Sequence, residues 1–176
     1  TILSDVGKSL EKMERYKAFI VGCGKIAGLY DCKDEEYIYS HAKAYSKNNK
    51  IDLVGCYDIK SSNSIDLSKK YGINIFNKNL IDAMELTQPN IVSVCTPIAS
   101  HFDYVKIIID SKYCPQVIFL EKPACQNHDQ FEKLVQISNS NDVKIVVNHS
   151  RRFDHNHNIL KQEIKKNTFG KLLKLS

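Results

Sequence analysis

The chain has 176 residues, 43% of them hydrophobic and 26% charged, an ordinary globular composition that allows one domain with a sizeable core and is short for two. Its net charge of +5 is spread along the sequence without a block of like charges, which points away from nucleic acid and towards a solvated lysine-rich surface. No apolar run approaches the ~18 residues needed to span a bilayer, and the N-terminus lacks the apolar core of a signal peptide, so no membrane association and a cytoplasmic location are expected.

In chain order, Ser4–Arg15 has helical spacing (Val6, Leu10, Met13) and reads as an N-terminal helical extension over residues 1–15. Six short apolar runs follow as strands: Lys17–Val21, Ile51–Tyr57, Ile73–Phe76, Ile91–Cys95, Gln116–Leu120 and Lys144–Asn148. Helical stretches near His41–Asn49, Ile65–Tyr71, Leu80–Leu86, Ser100–Ser111 and Asp129–Ser138 lie between them. β-branched strands alternating with helices predict an α/β fold, a doubly wound and mostly parallel sheet over residues 16–150. From residue 151 the pattern changes to a charged helix, Asp154–Asn167, a stop at Phe169-Gly170 and a new apolar strand, Lys171–Ser176. Residues 151–176 therefore read as the first helix and strand of a second α+β domain cut off at its start, since an isolated strand does not fold alone.

The first strand runs into a glycine turn, Gly22-Cys-Gly24-Lys25-Ile26-Ala27, and that pattern has a physical use. Gly22 allows a tight turn, Gly24 lets the backbone approach a pyrophosphate, and small Ala27 lets the following helix pack on its strand, with that helix's N-terminal N–H groups facing the anion. Asp58 closes the second strand, where a carboxylate can accept ribose hydroxyls and repel a 2′-phosphate. This favours NAD, while Lys60 two residues on keeps NADP open. Asp58 lies 36 residues beyond Gly22, more than the roughly 20 of the common fingerprint, and an insertion around Tyr30–Ser40 accounts for the excess. The plainer reading of the whole set is an ordinary βαβ unit with a glycine turn.

Six cysteines, at 23, 32, 56, 95, 114 and 125, include no Cys-x-x-Cys pair, so reduced thiols are expected rather than disulfides or a zinc site. His155 and His157 point to different faces of a helix and suit no single metal. No metal site is expected.

Three further motifs end later strands: Cys95-Thr96-Pro97-x-x-x-His101, Glu121-Lys122-Pro123 and Asn148-His-Ser-Arg-Arg152-Phe153. Together with the glycine turn, this set resembles the Gfo/Idh/MocA family of nicotinamide-dependent oxidoreductases over about residues 16–176. The resemblance implies hydride transfer between nicotinamide and a hydroxyl carbon of a sugar, inositol or sugar nucleotide. It implies that Lys122 is the catalytic group assisting proton transfer, often after a cis Lys-Pro bond. Gly22, Gly24, Lys25, Ile26, Ala27, Asp58, Thr96, Pro97, His101, Glu121, Lys122 and Arg152 would contact or border the cofactor. Each has a plainer reading: Lys122 as an exposed lysine paired with Glu121, His101 as a packed helix-start side chain, Arg152 as a surface ion pair.

Family members are roughly twice as long and place an acid–base residue from a second domain beside the hydride. The 176-residue chain alone is thus expected to bind NAD without turnover, with a homo-oligomer possible through the second-domain sheet. A competing reading is a nucleotide-binding regulatory or sensor module of the same fold that performs no chemistry.

Overall fold

The structure is a computed structural model, described over residues 15–32, 36–76 and 79–171. The expected N-terminal helix and nearly all of the Lys171–Ser176 strand lie outside the described residues. Five parallel strands form one sheet: β1 (Tyr16–Val21), β2 (Ile51–Tyr57), β3 (Ile91–Val94), β4 (Val117–Leu120) and β5 (Lys144–Val147). Their spatial order is β2-β1-β3-β4-β5, so the chain leaves β1 in one direction, returns across it, and continues on the other side. That reversal puts a switch point between β1 and β3, where doubly wound sheets open a ligand crevice.

The expected third strand, Ile73–Phe76, does not form. It makes one bridge, between Ile75 and Cys56, held by Cys56 N–H to Asn74 O (3.1 Å) and Phe76 N–H to Cys56 O (3.0 Å). Its β-branched residues satisfy the outer edge of β2 at a single point, which blunts that edge without extending the sheet.

Among the described residues, six α-helices follow the expected order: α1 (His41–Lys47), α2 (Ser61–Tyr71), α3 (Leu80–Thr87), α4 (His101–Ile109), α5 (His128–Ser140) and α6 (His155–Lys166). Alternation along β1 decides which face each helix covers. Phe19 and Val21 enter one core with Leu80 and Met84 of α3, Val105 and Ile108 of α4, and Leu134 of α5. Ala18 and Ile20 enter the other with Ala42 and Tyr45 of α1 and Leu67 of α2. On this second face the sheet beyond β1 presents Ile91, Val117, Phe119 and Val146 to a cavity of about 590 Å³. Helix α6 packs chiefly on the short turn Ser150–Phe153 before it, and no residue of it is buried.

The segment after the glycine turn is a single five-residue π-type turn, Lys25–Leu29, and residues 30–40 then carry the chain to α1. Asp31 anchors that excursion: its carboxylate accepts from Tyr39 N (2.8 Å) and from Ser40 Oγ. Ser40 in turn caps α1 by accepting from Lys43 N. Lys70 of α2 donates to the carbonyls of Gly28 (2.9 Å) and Asp31.

Gly28 sits where this turn touches both α1 and α2. A Cβ there would overlap the side chains of Leu67 and Tyr71 and press on the Cβ of Ala42. Gly28→Ala is therefore expected to cost about 1–3 kcal/mol by overpacking, read as a lower denaturation midpoint with an unchanged slope.

Candidate functional site

At the carboxyl ends of β1, β2 and β3 lies a cavity of about 690 Å³ walled by Gly22, Gly24, Asp58, Thr96, Pro97 and Tyr104, among others. Its two glycines do different work. Gly22 has φ +87°, and a Cβ on it would lie 2.8 Å from Thr96 N and 2.9 Å from the Cys95 carbonyl carbon. Glycine is required there so that the turn after β1 can pass the loop after β3. Gly24 has no atom within 4 Å of where a Cβ would stand. Packing places no demand on that position; what it keeps bare is the cavity wall.

Asp58, 8% exposed, ends β2 facing the same turn. Its Oδ2 accepts from Cys23 N (2.7 Å) and from Asn63 Nδ2 (3.3 Å), and its Oδ1 accepts from Lys60 N (2.8 Å). A carboxylate offers about four lone-pair positions. Three are in use, which leaves one free, and two if the long contact to Asn63 gives way. The buried thiol of Cys23 is pushed up by its contact with Cys56 and by burial, so the cysteine inside the glycine turn behaves as an inert, protonated packing group. Thr96 Oγ1 is buried without a hydrogen-bond partner among the described residues. An open glycine, a carboxylate at the second strand's end and an unpaired hydroxyl suit the ribose and pyrophosphate of a dinucleotide.

The structure brings Gly22, Gly24, Asp58, Thr96 and Pro97 to this one cavity. Ala27 is fully buried behind it, and Lys25 is exposed, its Nζ 5.9 Å from the centre of the Tyr30 ring. His101 is 1% exposed, with Nδ1 3.0 Å from Pro123 O and Nε2 2.7 Å from Thr96 O. Its ring is thus a strut between the loops that follow β3 and β4. Arg152 is exposed on the turn before α6. Lys122 is exposed at the end of β4, and the Lys122–Pro123 bond is cis.

Beneath Lys122 lies a buried polar cluster. Glu121 Oε1 receives His41 Nε2 (2.9 Å) and Asn148 Nδ2 (2.6 Å), while Oε2 accepts from Lys122 N (3.3 Å). His41 Nδ1 is 2.9 Å from Ser93 Oγ, which is 2.6 Å from Tyr45 Oη. Burial pushes the Glu121 carboxyl up, but the hydrogen bonds from His41 and Asn148 outweigh it and hold the group below its ordinary value. Burial likewise pushes the Tyr45 hydroxyl up to about 12 despite its bond to Ser93. His41, Ser93 and Tyr45 carry no motif, and sequence reading assigns them no role. The available signals are a histidine directly after the cap Ser40 and a serine within the apolar run of β3.

A carboxyl held low in the folded state stabilises the fold above its unfolded value near 4.5, and that contribution is lost as pH falls through the folded value. Glu121→Gln is expected to flatten the loss of stability on the acid side below about pH 4.5, measured by denaturation at stepped pH. An acid limb as steep as the parent's would show that other carboxyls carry it.

The profile of an oxidoreductase family with an NAD-binding Rossmann fold matches residues 16–149. Oxidoreductase P35 of Formosa agariphila is 26% identical over 133 residues, 76% of this chain and 37% of that protein. Myo-inositol 2-dehydrogenase of Thermotoga maritima is 22% identical over 152 residues, 86% of this chain and 41% of that protein. The crystal structure of apo scyllo-inositol dehydrogenase from Lactobacillus casei superposes with a TM-score of 0.75 at 18% identity, over 90% of this chain and 43% of that one. The chain spans about two-fifths of the length of the curated relatives it matches. With the family profile covering its whole sheet and the switch-point cavity, the chain belongs to the Gfo/Idh/MocA oxidoreductase family.

Proposed function

We propose that this chain is the cofactor-binding part of a dehydrogenase that transfers hydride between a hydroxyl carbon of an inositol, sugar or sugar nucleotide and nicotinamide, with NAD preferred to NADP. The observation that carries the reading is Gly24, bare towards a cavity of about 690 Å³ whose wall also holds Asp58. Two relatives named for inositol dehydrogenation support the substrate class.

In this reading the Gly22–Ala27 backbone faces the pyrophosphate, Asp58 accepts from the adenosine ribose, and Thr96 and Pro97 wall the path towards the end of β4. Bound nicotinamide supplies the hydride acceptor. Lys122 takes the proton of the substrate hydroxyl, and Glu121, whose Oε2 accepts from the Lys122 backbone N–H, holds the strand end that carries it. Lys60, on the cavity wall, is the cation available to a 2′-phosphate.

Cofactor titration by calorimetry tests the binding half. Gly24→Val fills the open wall and is expected to abolish NAD binding with thermal stability little changed. Asp58→Asn removes the charge and leaves one carbonyl acceptor, enough for either Cys23 N or Lys60 N but not both. Charge-assisted bonds are worth about 1.5–3 kcal/mol, so the preference for NAD over NADP should narrow at least about tenfold. Equal changes for both cofactors would sink the assignment of Asp58.

The catalytic half is tested with Lys122→Ala in a preparation that oxidises myo-inositol. Loss of a general acid–base group lowers kcat about 10²–10⁴-fold, while NAD affinity should stay within about twofold. A variant that keeps parental kcat moves the proton to another group.

A further inference from the structure

We propose that His41, carrying its ring proton on Nε2, is a positioning residue that fixes the Glu121 carboxylate and, through it, the backbone of Lys122. The inference rests on the reading of Lys122 as the group that handles the substrate proton. His41 opens α1, 6% exposed, with its ring edge-on to Phe119 of β4 at 5.3 Å. It is one of three side chains from separate elements that converge on one buried site: His41 of α1, Glu121 at the end of β4 and Asn148 at the end of β5.

For a neutral His41 ring, donor counting fixes the direction of every bond in this cluster. An ionised carboxylate only accepts, so the nitrogen 2.9 Å from Glu121 Oε1 must carry a hydrogen. With Nε2–H donating, neutral Nδ1 is left as an acceptor and takes the Ser93 hydroxyl at 2.9 Å. Ser93 Oγ then accepts from Tyr45 Oη at 2.6 Å. Each hydroxyl and the ring donate once, all towards Glu121, and no buried donor is stranded. The reverse tautomer would set a ring lone pair against the carboxylate and, with Nδ1–H donating to Ser93 Oγ, leave one of the Ser93 and Tyr45 hydroxyl hydrogens without an acceptor in the cluster.

The consequence falls on Lys122. Oε1 is occupied by His41 and Asn148, so Oε2 is the oxygen left to accept the Lys122 N–H at 3.3 Å. Glu121 is 8% exposed and Lys122 exposed; the two neighbours point opposite ways at the strand end, and holding one orients the other. The remaining ionisable group facing the carboxylate is Cys95, whose thiol burial and the Glu121 charge both push up. It does not replace the His41 donor.

Histidine-labelled and uniformly labelled samples of the 176-residue chain allow the test by NMR. His41 is expected to give the nitrogen signature of the Nε2–H tautomer; the Nδ1–H signature would overturn the proposal without any variant. The Glu121 carboxyl and the Lys122 amide should titrate together, with a midpoint below the ordinary carboxylate range. His41→Leu removes the donor and should raise both midpoints by about one unit or more. His41→Gln, which retains a side-chain N–H, should restore much of the parental value. Midpoints equal in all three forms, or a Lys122 amide that ignores the Glu121 titration, would overturn the proposal. If His41→Leu does not fold, the parental tautomer and the His41→Gln titration decide. NAD titration of the parental chain is run in parallel: failure to bind NAD would overturn the proposed function and leave the measured His41–Glu121 coupling standing.

Discussion

The geometry of the crevice depends on how closely two chain segments pass at the ends of β1 and β3. Gly22 stands against Thr96 and Cys95 with no room for a side chain, and Cys95 N–H bonds to Val21 O at 2.8 Å. That contact ties the glycine turn to the loop bearing Thr96 and Pro97, so the two walls of the cavity are a single packed unit. The wall beyond them, at β2, is tied in by Gly22 N–H to Tyr57 O at 2.8 Å. The cradle therefore inherits the stiffness of the sheet. A binding loop built this way gives up little conformational freedom when it meets a ligand.

A second set of constraints organises the far end of the crevice. His101 and His41 are both buried histidines with both ring nitrogens engaged, yet they act at different levels. His101 joins two backbone loops, through Thr96 O and Pro123 O. His41 joins side chains across the sheet and ends on a charge. Between them they bracket Glu121-Lys122-Pro123 from both faces of the sheet, since His101 belongs to α4 and His41 to α1. A buried carboxylate would be costly without donors, and three elements supply them.

Much of this was legible in the sequence, because the signals are local. β1, its glycine turn and Asp58 follow from apolar runs that end in residues with a backbone or charge requirement, and the helices between strands follow from apolar spacing. The strand expected at Ile73–Phe76 shows the limit of that reasoning: β-branched residues state a preference, but pairing needs a partner edge in register, and only Ile75 finds one. The segment after the glycine turn is similar. Its sequence is helix-compatible, yet Lys25–Leu29 forms a single wide turn. The polar cluster under Lys122 was not legible, because its members lie 80 and 27 residues from Glu121. Nothing in a lone histidine, serine or asparagine says that the sheet will bring them together. The likeness of motifs pointed to Glu121 and Lys122, and only the packing showed what stands behind them.

The bonds of Asp58 bear on how this domain could change over evolutionary time. In the proposed role its carboxylate chooses between two cofactors, but it also clasps Cys23 N in the glycine turn and Lys60 N at the start of α2. Selectivity and loop architecture therefore share one side chain. A lineage drifting towards a phosphorylated ribose could not simply discard the acid, because the turn would lose its clasp in the same step. A compensating acceptor for the Cys23 amide would have to arise first or together with the change. The two traits are inherited as one, and the accessible mutational routes between cofactors are correspondingly few.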